Sequence, residues 1–193
     1  VWYNDLNVKV EAGDVDSGVN SIKWTIKAPN GTTVVTENAG DIFANVSNMT
    51  SYGKILEYTF EQAFNDESLA PGEYSFSATL KDNAGNTVEL DEVGPFLVDT
   101  KAPAIKDNTK YSGDKYTDGV QLSFNVSEGE NESGLASVTL YKKKNGELTQ
   151  VKSWNIQDEY TYDIFENGTY VIEAVDNAGN FTVGISDFNV FKS

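Results

Sequence analysis

The sequence predicts an all-β chain built as two tandem antiparallel β-sandwiches, and three observations predict it. A set of landmarks runs through the 193 residues twice in the same order. The apolar residues around those landmarks alternate with polar ones at period two, the spacing of a half-buried strand. The strands so defined are short and bounded by Gly, Asn and Asp turns. Each copy has about 95 residues, enough for one sandwich to close a core.

The landmarks come first because they carry the repeat. Asp82-Asn83-Ala84-Gly85-Asn86 returns as Asp176-Asn177-Ala178-Gly179-Asn180. Upstream, Gly72-Glu73-Tyr74 returns as Gly168-Thr169-Tyr170, and Ser17-Gly18-Val19 as Ser133-Gly134-Leu135. A hairpin signal follows the Ser-Gly pair, Asn30-Gly31 in one copy and Asn145-Gly146 in the other. The first copy is longer between its hairpin and its Gly-x-Tyr, by about residues 40–53. That insertion predicts an added strand or an elaborated loop.

The strands follow in immunoglobulin lettering, since the fold predicted is an immunoglobulin-like sandwich. Leu6, Val8 and Val10 mark strand B, answered by Leu122, Phe124 and Val126. Ile22, Trp24 and Ile26 mark strand C, answered by Val138 and Leu140. Tyr74, Phe76 and Ala78 mark strand F, answered by Tyr170, Ile172 and Ala174. Val88, Leu90, Phe96 and Val98 close the first copy on strand G; Val183, Ile185, Phe188 and Val190 close the second. Glu61 to Leu69 is the nearest approach to a helical turn. Ala104 to about Lys110 reads as strand A of the second copy, and the first copy is expected to lack strand A. The domain reading is residues 1–98 and 99–193, joined by a linker over 98–103.

Composition narrows the function. Hydrophobic residues are 39% of the chain and aromatics 12%, so each copy can bury a core. The net charge of -16 argues against nucleic acid and anionic membrane, which call for basic stripes. All 14 basic residues are lysine, which removes the bidentate guanidinium fork for phosphate or carboxylate. There is no Cys and no His, so thiolate or imidazole metal sites and nucleophile–histidine pairs are excluded. No run of about 18 apolar residues predicts a membrane span. No apolar opening segment predicts a signal peptide. A chain opening at Val1 is read as a piece of something longer.

The landmarks resemble the bacterial immunoglobulin-like and fibronectin-III-like repeats of surface adhesins, S-layer-associated proteins and cell-wall proteases. Those repeats carry an acidic loop ending Ser-Gly-Val, then Gly-x-Tyr, then Asp-x-Ala-Gly-Asn. A Val-Asp-Thr-x-Ala-Pro joint links one to the next, and here it stands as Val98-Asp99-Thr100-Lys101-Ala102-Pro103. The resemblance covers both copies and implies a module type rather than a parent protein, because such modules accompany many functions. It implies an extracellular location, on the surface of or secreted by a bacterium, with a Gram-positive one fitting the absence of Cys.

The candidate site lies at the sandwich poles. Strands B–C and F–G turn at the same end of such a fold, and the linker enters there. The turns are acidic, with Asp14 and Asp16 in the first copy and Glu128, Glu130 and Glu132 in the second. Hard oxygens converging at a joint suit Ca²⁺, which takes six to eight of them. The expected ligands are Asp99, Glu130, Glu132, Asp176 and Asn180, with Asp14, Asp16 and Asp82 at the first pole. The other reading of the Asp-Asn-Ala-Gly-Asn turns is structural: side chains capping backbone amides around a glycine of positive φ.

Trp24 alternates with Ile22 and Ile26 and is expected in the core; Trp154, beside Ile156, likewise. Trp2 with Tyr3 is the one aromatic patch expected near the surface. Lys142-Lys143-Lys144 reads as the solvated end of a hairpin. Carboxylates fall in turns and on outward faces, so no enzyme chemistry is expected. The function expected is a stalk or spacer whose partners are neighbouring modules. One alternative is an adhesin segment binding a host protein or glycan through residues 41–51; another is an accessory domain of a secreted hydrolase.

Overall fold

A computed structural model describes residues 1–31, 33–37, 46–50, 55–110 and 119–188, and these contain strands and turns but no helix. The chain divides into two compact units, Val1–Thr100 and Lys101–Ser193. The strands of the first unit are β1 (Trp2–Tyr3), β2 (Leu6–Gly13), β3 (Val19–Lys27), β4 (Thr33–Glu37), β5 (Val46–Met49), β6 (Ile55–Phe64), β7 (Gly72–Asp82) and β8 (Thr87–Val98). One sheet runs β2-β6-β5 and the other β1-β8-β7-β3-β4. The second unit has β9 (Ala104–Asp107), β10 (Val120–Ser127), β11 (Leu135–Lys144), β12 (Glu147–Trp154), β13 (Tyr160–Ile164), β14 (Gly168–Asp176) and β15 (Phe181–Phe188). Its sheets run β13-β10-β9 and β12-β11-β14-β15. Each unit is thus a two-sheet sandwich with immunoglobulin-like strand order, antiparallel but for the β1–β8 pair of the first.

Strand β3 shows how the alternation becomes a core. Ile22, Trp24 and Ile26 are buried while Lys23 and Lys27 face water. A register shift between Val19 and Ser21 brings Val19 inward as well. Trp24 is 2% exposed and stacks on Phe76 at 5.8 Å, and Phe64 meets Phe76 at 5.2 Å. In the second unit the centre is Phe124 stacked on Tyr160 at 5.3 Å, with Leu122, Leu140 and Ile164 fully buried around them.

The Gly-x-Tyr landmark is a corner clamp. The Tyr74 hydroxyl donates to Ala70 O at 2.9 Å, and the Tyr170 hydroxyl to Glu166 O at 3.2 Å. Each tyrosine ties the start of strand F to the chain four residues upstream, as tyrosine corners do in this fold. Burial holds both hydroxyls above the ordinary tyrosine pKa. At the other hairpin, Asn145 (φ 53°) and Gly146 (φ 84°) make the tight turn between paired Lys144 and Glu147.

Several expectations are corrected. Glu61–Phe64 is the end of strand β6, and Asp66–Leu69 is a turn closed by Leu69 N on Asp66 O at 3.0 Å. The local spacing of apolar residues there mimicked a helix, whereas pairing with β2 made a strand. The first unit does have a short leading strand, β1, parallel to β8 at Leu97–Val98. No strand covers the outer edge of β2 among the described residues, where the second unit has β9 on β10. Part of the insertion expected at 40–53 is the added strand β5, which pairs with β6. The rest of it, residues 40–45 and 51–53, and Val190 lie outside the described residues.

The apolar residues that mark strand G divide between its two faces. Val183 and Ile185 are 45% and 67% exposed, while Thr182, Gly184 and Ser186 point inward. The turn length before β15 sets Val175 against Phe181, and that register puts every later odd-numbered residue outside. In β8, Val88 and Leu90 are exposed because the edge beside them is uncovered. Trp154 is partly buried edge-on to Phe124 and Tyr160, but Ile156 is 50% exposed because the strand ends at Trp154.

Candidate functional site

The repeated landmarks meet each other at one pole of each unit. In the first, Asn83 N donates to Gly18 O at 2.9 Å and Asn83 Nδ2 to Ser17 O at 3.0 Å. In the second, Asn177 N donates to Gly134 O at 2.8 Å and Asn177 Nδ2 to Ser133 O at 2.9 Å. The Ser-Gly pair of the B–C turn and the Asn of the F–G turn are therefore two halves of one lock. Gly18 and Gly134 hold φ of 88° and 83°, and Gly85 and Gly179 hold 95° and 92°, values that favour glycine.

The aspartate of each turn folds back on its own loop. Asp82 accepts Asn86 N at 2.7 Å and Asn86 Nδ2 at 2.6 Å. Asp176 accepts Ala178 N at 2.9 Å, Asn180 N at 2.8 Å and Asn180 Nδ2 at 2.8 Å. The structural reading of this motif is thereby realised in both units. The hydrogen bond from the Asn86 side chain is the leading cause holding Asp82 below the ordinary carboxyl pKa. Asp14 is also lowered, first by the Ser17 hydroxyl and then by the Asp16 amide. Hydrogen bonds to the ionised form stabilise it. Asp14 and Asp82 are thus engaged with their own loops, and Asp16 is exposed.

The expected ligands of the second pole separate in the same way. Glu130 is exposed. Glu132 accepts the Gly129 amide and stands 3.9 Å from Lys101 Nζ. Asp176 is 2% exposed, and Asn180 is turned toward it. Asp99 is fully buried, and its amide donates to Tyr3 O at 2.9 Å. Glu128 is the residue whose importance the sequence did not single out. Both of its carboxylate oxygens are shielded from water, and its carboxylate lies within 4.8 Å of that of Asp176. Glu128 directly follows strand β10, and only the path of the loop decides that it turns in while Glu130 turns out.

Of the other singled-out residues, Trp2 is half-buried in β1 and Tyr3 meets Phe96 edge-on at 6.3 Å. Lys142 is ion-paired with Glu166 and lies 5.7 Å from the Tyr170 ring centroid, whereas Lys143 and Lys144 are exposed on the hairpin. No described helix is long and apolar enough to cross a membrane.

No protein-family model matches the chain, and the comparison with curated proteins found no match. Among solved structures it is similar to the fibronectin(III)-like modules of CbhA from Clostridium thermocellum, with 16% identity and a TM-score of 0.35, over 95% of this chain and 84% of that one. It is similar to DIP-gamma IG1+IG2, with 15% identity and a TM-score of 0.39, over 100% of this chain and 93% of that one. Domains 3 and 4 of rat CD4 show 12% identity and a TM-score of 0.30, over 97% of this chain and 96% of that one. At such scores the immunoglobulin-like class rests on the strand order above.

Proposed function

We propose that this chain is a non-catalytic spacer of a bacterial cell-surface or secreted protein, two self-contained modules that hold neighbouring segments apart. The observation that carries the reading is the pair of pole locks. The Ser-Gly, Gly-x-Tyr and Asp-Asn-Ala-Gly-Asn motifs all tie loops or corners of a sandwich to itself, in both units, as a module that resists extension requires. The absence of Cys and the resemblance of the joint motif support the bacterial setting. Pulling the chain by its ends in a force spectrometer tests the function. Two separate rupture steps are expected, each releasing roughly 30 nm of chain at about 3.3–3.6 Å per residue. Extension without discrete rupture would overturn the spacer reading.

Ca²⁺ at the second pole is part of this proposal. Two carboxylates shielded from water and within 4.8 Å of each other repel strongly in a low dielectric unless a cation compensates them. Glu128 and Asp176 offer hard oxygens of the kind Ca²⁺ takes. A rise in melting temperature is expected on adding millimolar Ca²⁺, reversed by chelator and absent in Glu128→Gln. An unchanged melting temperature would remove Ca²⁺ from the proposal and leave the spacer reading to the pulling experiment.

A further inference from the structure

The two units differ on the outer face of the sheet that carries strands C, F and G. In the second unit, burial of Ile172 and Ala174 in the core fixes the faces of β14, so Val171, Glu173 and Val175 stand on the outside. Val171 is buried, yet it is no part of the core. Strand pairing sets Tyr141, Val171 and Ile185 in one row across this outer face. Thr139, Glu173 and Val183 form the next row, and Ser137, Val175 and Phe181 the one after. Phe181, Val183 and Ile185 are all exposed, so an apolar stripe runs along β15 in water.

The first unit shows the same face built for water. Its rows set Lys23 beside Thr79 and Glu89, and Ser21 beside Lys81 and Thr87. Matched from the shared Asp-Asn-Ala-Gly-Asn turn, Lys81 and Ser77 stand where the second unit has Val175 and Val171. Thr87, Glu89 and Asp91 stand where it has Phe181, Val183 and Ile185. Solvation alone gives no reason for these exchanges of polar for apolar side chains. A contiguous exposed apolar patch framed by polar residues marks an interaction surface.

We propose that two copies of the chain pair through this face, second unit on second unit, about a two-fold axis lying across the strands at the level of Val171. Such an axis sets Val171 and Ile185 of one copy on the same residues of the other. Lys143 lies one row to one side of Val171, and Glu173 one row to the other side. The axis therefore brings Lys143 of each copy to Glu173 of the other, and the charges of the face complement themselves. Asp187, held by the Thr169 hydroxyl on the edge strand, stays at the rim. Four strands about 4.8 Å apart and eight residues of about 3.4 Å make a face of about 500 Å² in plan. Side-chain relief brings it toward the roughly 600–800 Å² per partner of a specific pair. The repulsion expected from a net charge of -16 falls mostly elsewhere. Residues 101–193 hold 9 lysines and 14 acidic residues, a net charge of -5, whereas residues 1–100 hold 5 and 16, a net charge of -11. Pairing of copies goes beyond the spacer reading, which needs one copy only.

Sedimentation of the full chain at about 0.15 M salt, where charges more than about 8 Å apart are largely screened, tests this. A reversible dimer is expected in the micromolar to millimolar range. Phe181→Thr with Ile185→Asp gives β15 the residues that β8 carries at those places, and should weaken association by roughly tenfold or more. The thermal transition of the second unit checks that this variant is folded, and Val183→Glu replaces it if that transition is lost. Lys143→Glu and Glu173→Lys should each weaken the dimer when alone. An equimolar mixture of those two variants should pair, because each charge then meets its opposite at both contacts. A chain that stays monomeric at about 1 mM overturns the proposal and leaves the face to a partner of other chemistry. A dimer that survives the substitutions in β15 also overturns it, since another surface would be holding the copies. A mixture no more associated than its components overturns the two-fold pairing.

Discussion

Replacing Trp24 with alanine is expected to destabilise the first unit by about 3–5 kcal/mol, the range for deleting a buried large aromatic. Trp24 is the largest fully buried side chain of its unit, and its ring closes a stack with Phe76 that Phe64 and Phe96 extend. Ile22 and Ile26 flank it on the same strand and cannot collapse into the space without leaving their own. Calorimetry should show the first unit's transition falling by about 15 °C or more, or disappearing. The second unit has its own core and serves as the internal control, because its transition should stay. A drop of only a degree or two would mean that Trp24 is not in the core and that the register of β3 is wrong.

The second large effect is expected at Asp176. Its carboxylate, 2% exposed, accepts from two backbone amides and from the Asn180 side chain. Asp176→Ala leaves those donors without their acceptor in a place that water reaches poorly. An unsatisfied buried group costs about 1–3 kcal/mol, so a total near 3 kcal/mol is expected for the second unit. Asp176→Asn keeps one acceptor oxygen and should lose less. Asp82→Ala removes the same motif where solvent can replace the lost bonds, and its effect should be the smaller of the two. Urea unfolding in chelator measures all three without a contribution from Ca²⁺. Equal midpoint shifts for Asp82→Ala and Asp176→Ala would show that burial does not set the strength of the lock.

The strands most legible in the sequence were those that bury one face. β3 and β10 alternate cleanly because each has a core on one side and water on the other. The landmark turns were legible for a different reason. Only a few residue types adopt a positive φ or cap a loop, so Asp-Asn-Ala-Gly-Asn and Ser-Gly announce turns wherever they fall. Strand β6 was less legible, and of the described residues that marked the edge strand β15 only Phe188 is buried. Its apolar residues Val183 and Ile185 lie on the outer face, beside Val171 on the neighbouring strand. Composition cannot tell an inner from an outer face when both carry aliphatics.

The candidate site divides in the same manner. The sequence placed acidic residues at the right turns, but it could not tell which of them face inward. Glu128, Glu130 and Glu132 sit at alternate positions of one loop, and each ends in a different place: shielded, exposed, and bonded to the loop's own amide. Loop conformation is set by contacts between distant segments, and no local pattern records it.

By itself, then, the sequence determined that this protein is two immunoglobulin-like sandwiches with matched turns, because alternation and turn chemistry are local properties of the chain. Only the tertiary structure decided that the two repeated motifs lock onto each other, that Glu128 turns inward, and that Ile105 of β9 packs beside Gly184. Those outcomes depend on pairing between residues far apart in the chain. Ser17 and Asn83, or Ile105 and Gly184, become neighbours only once the sheets have closed.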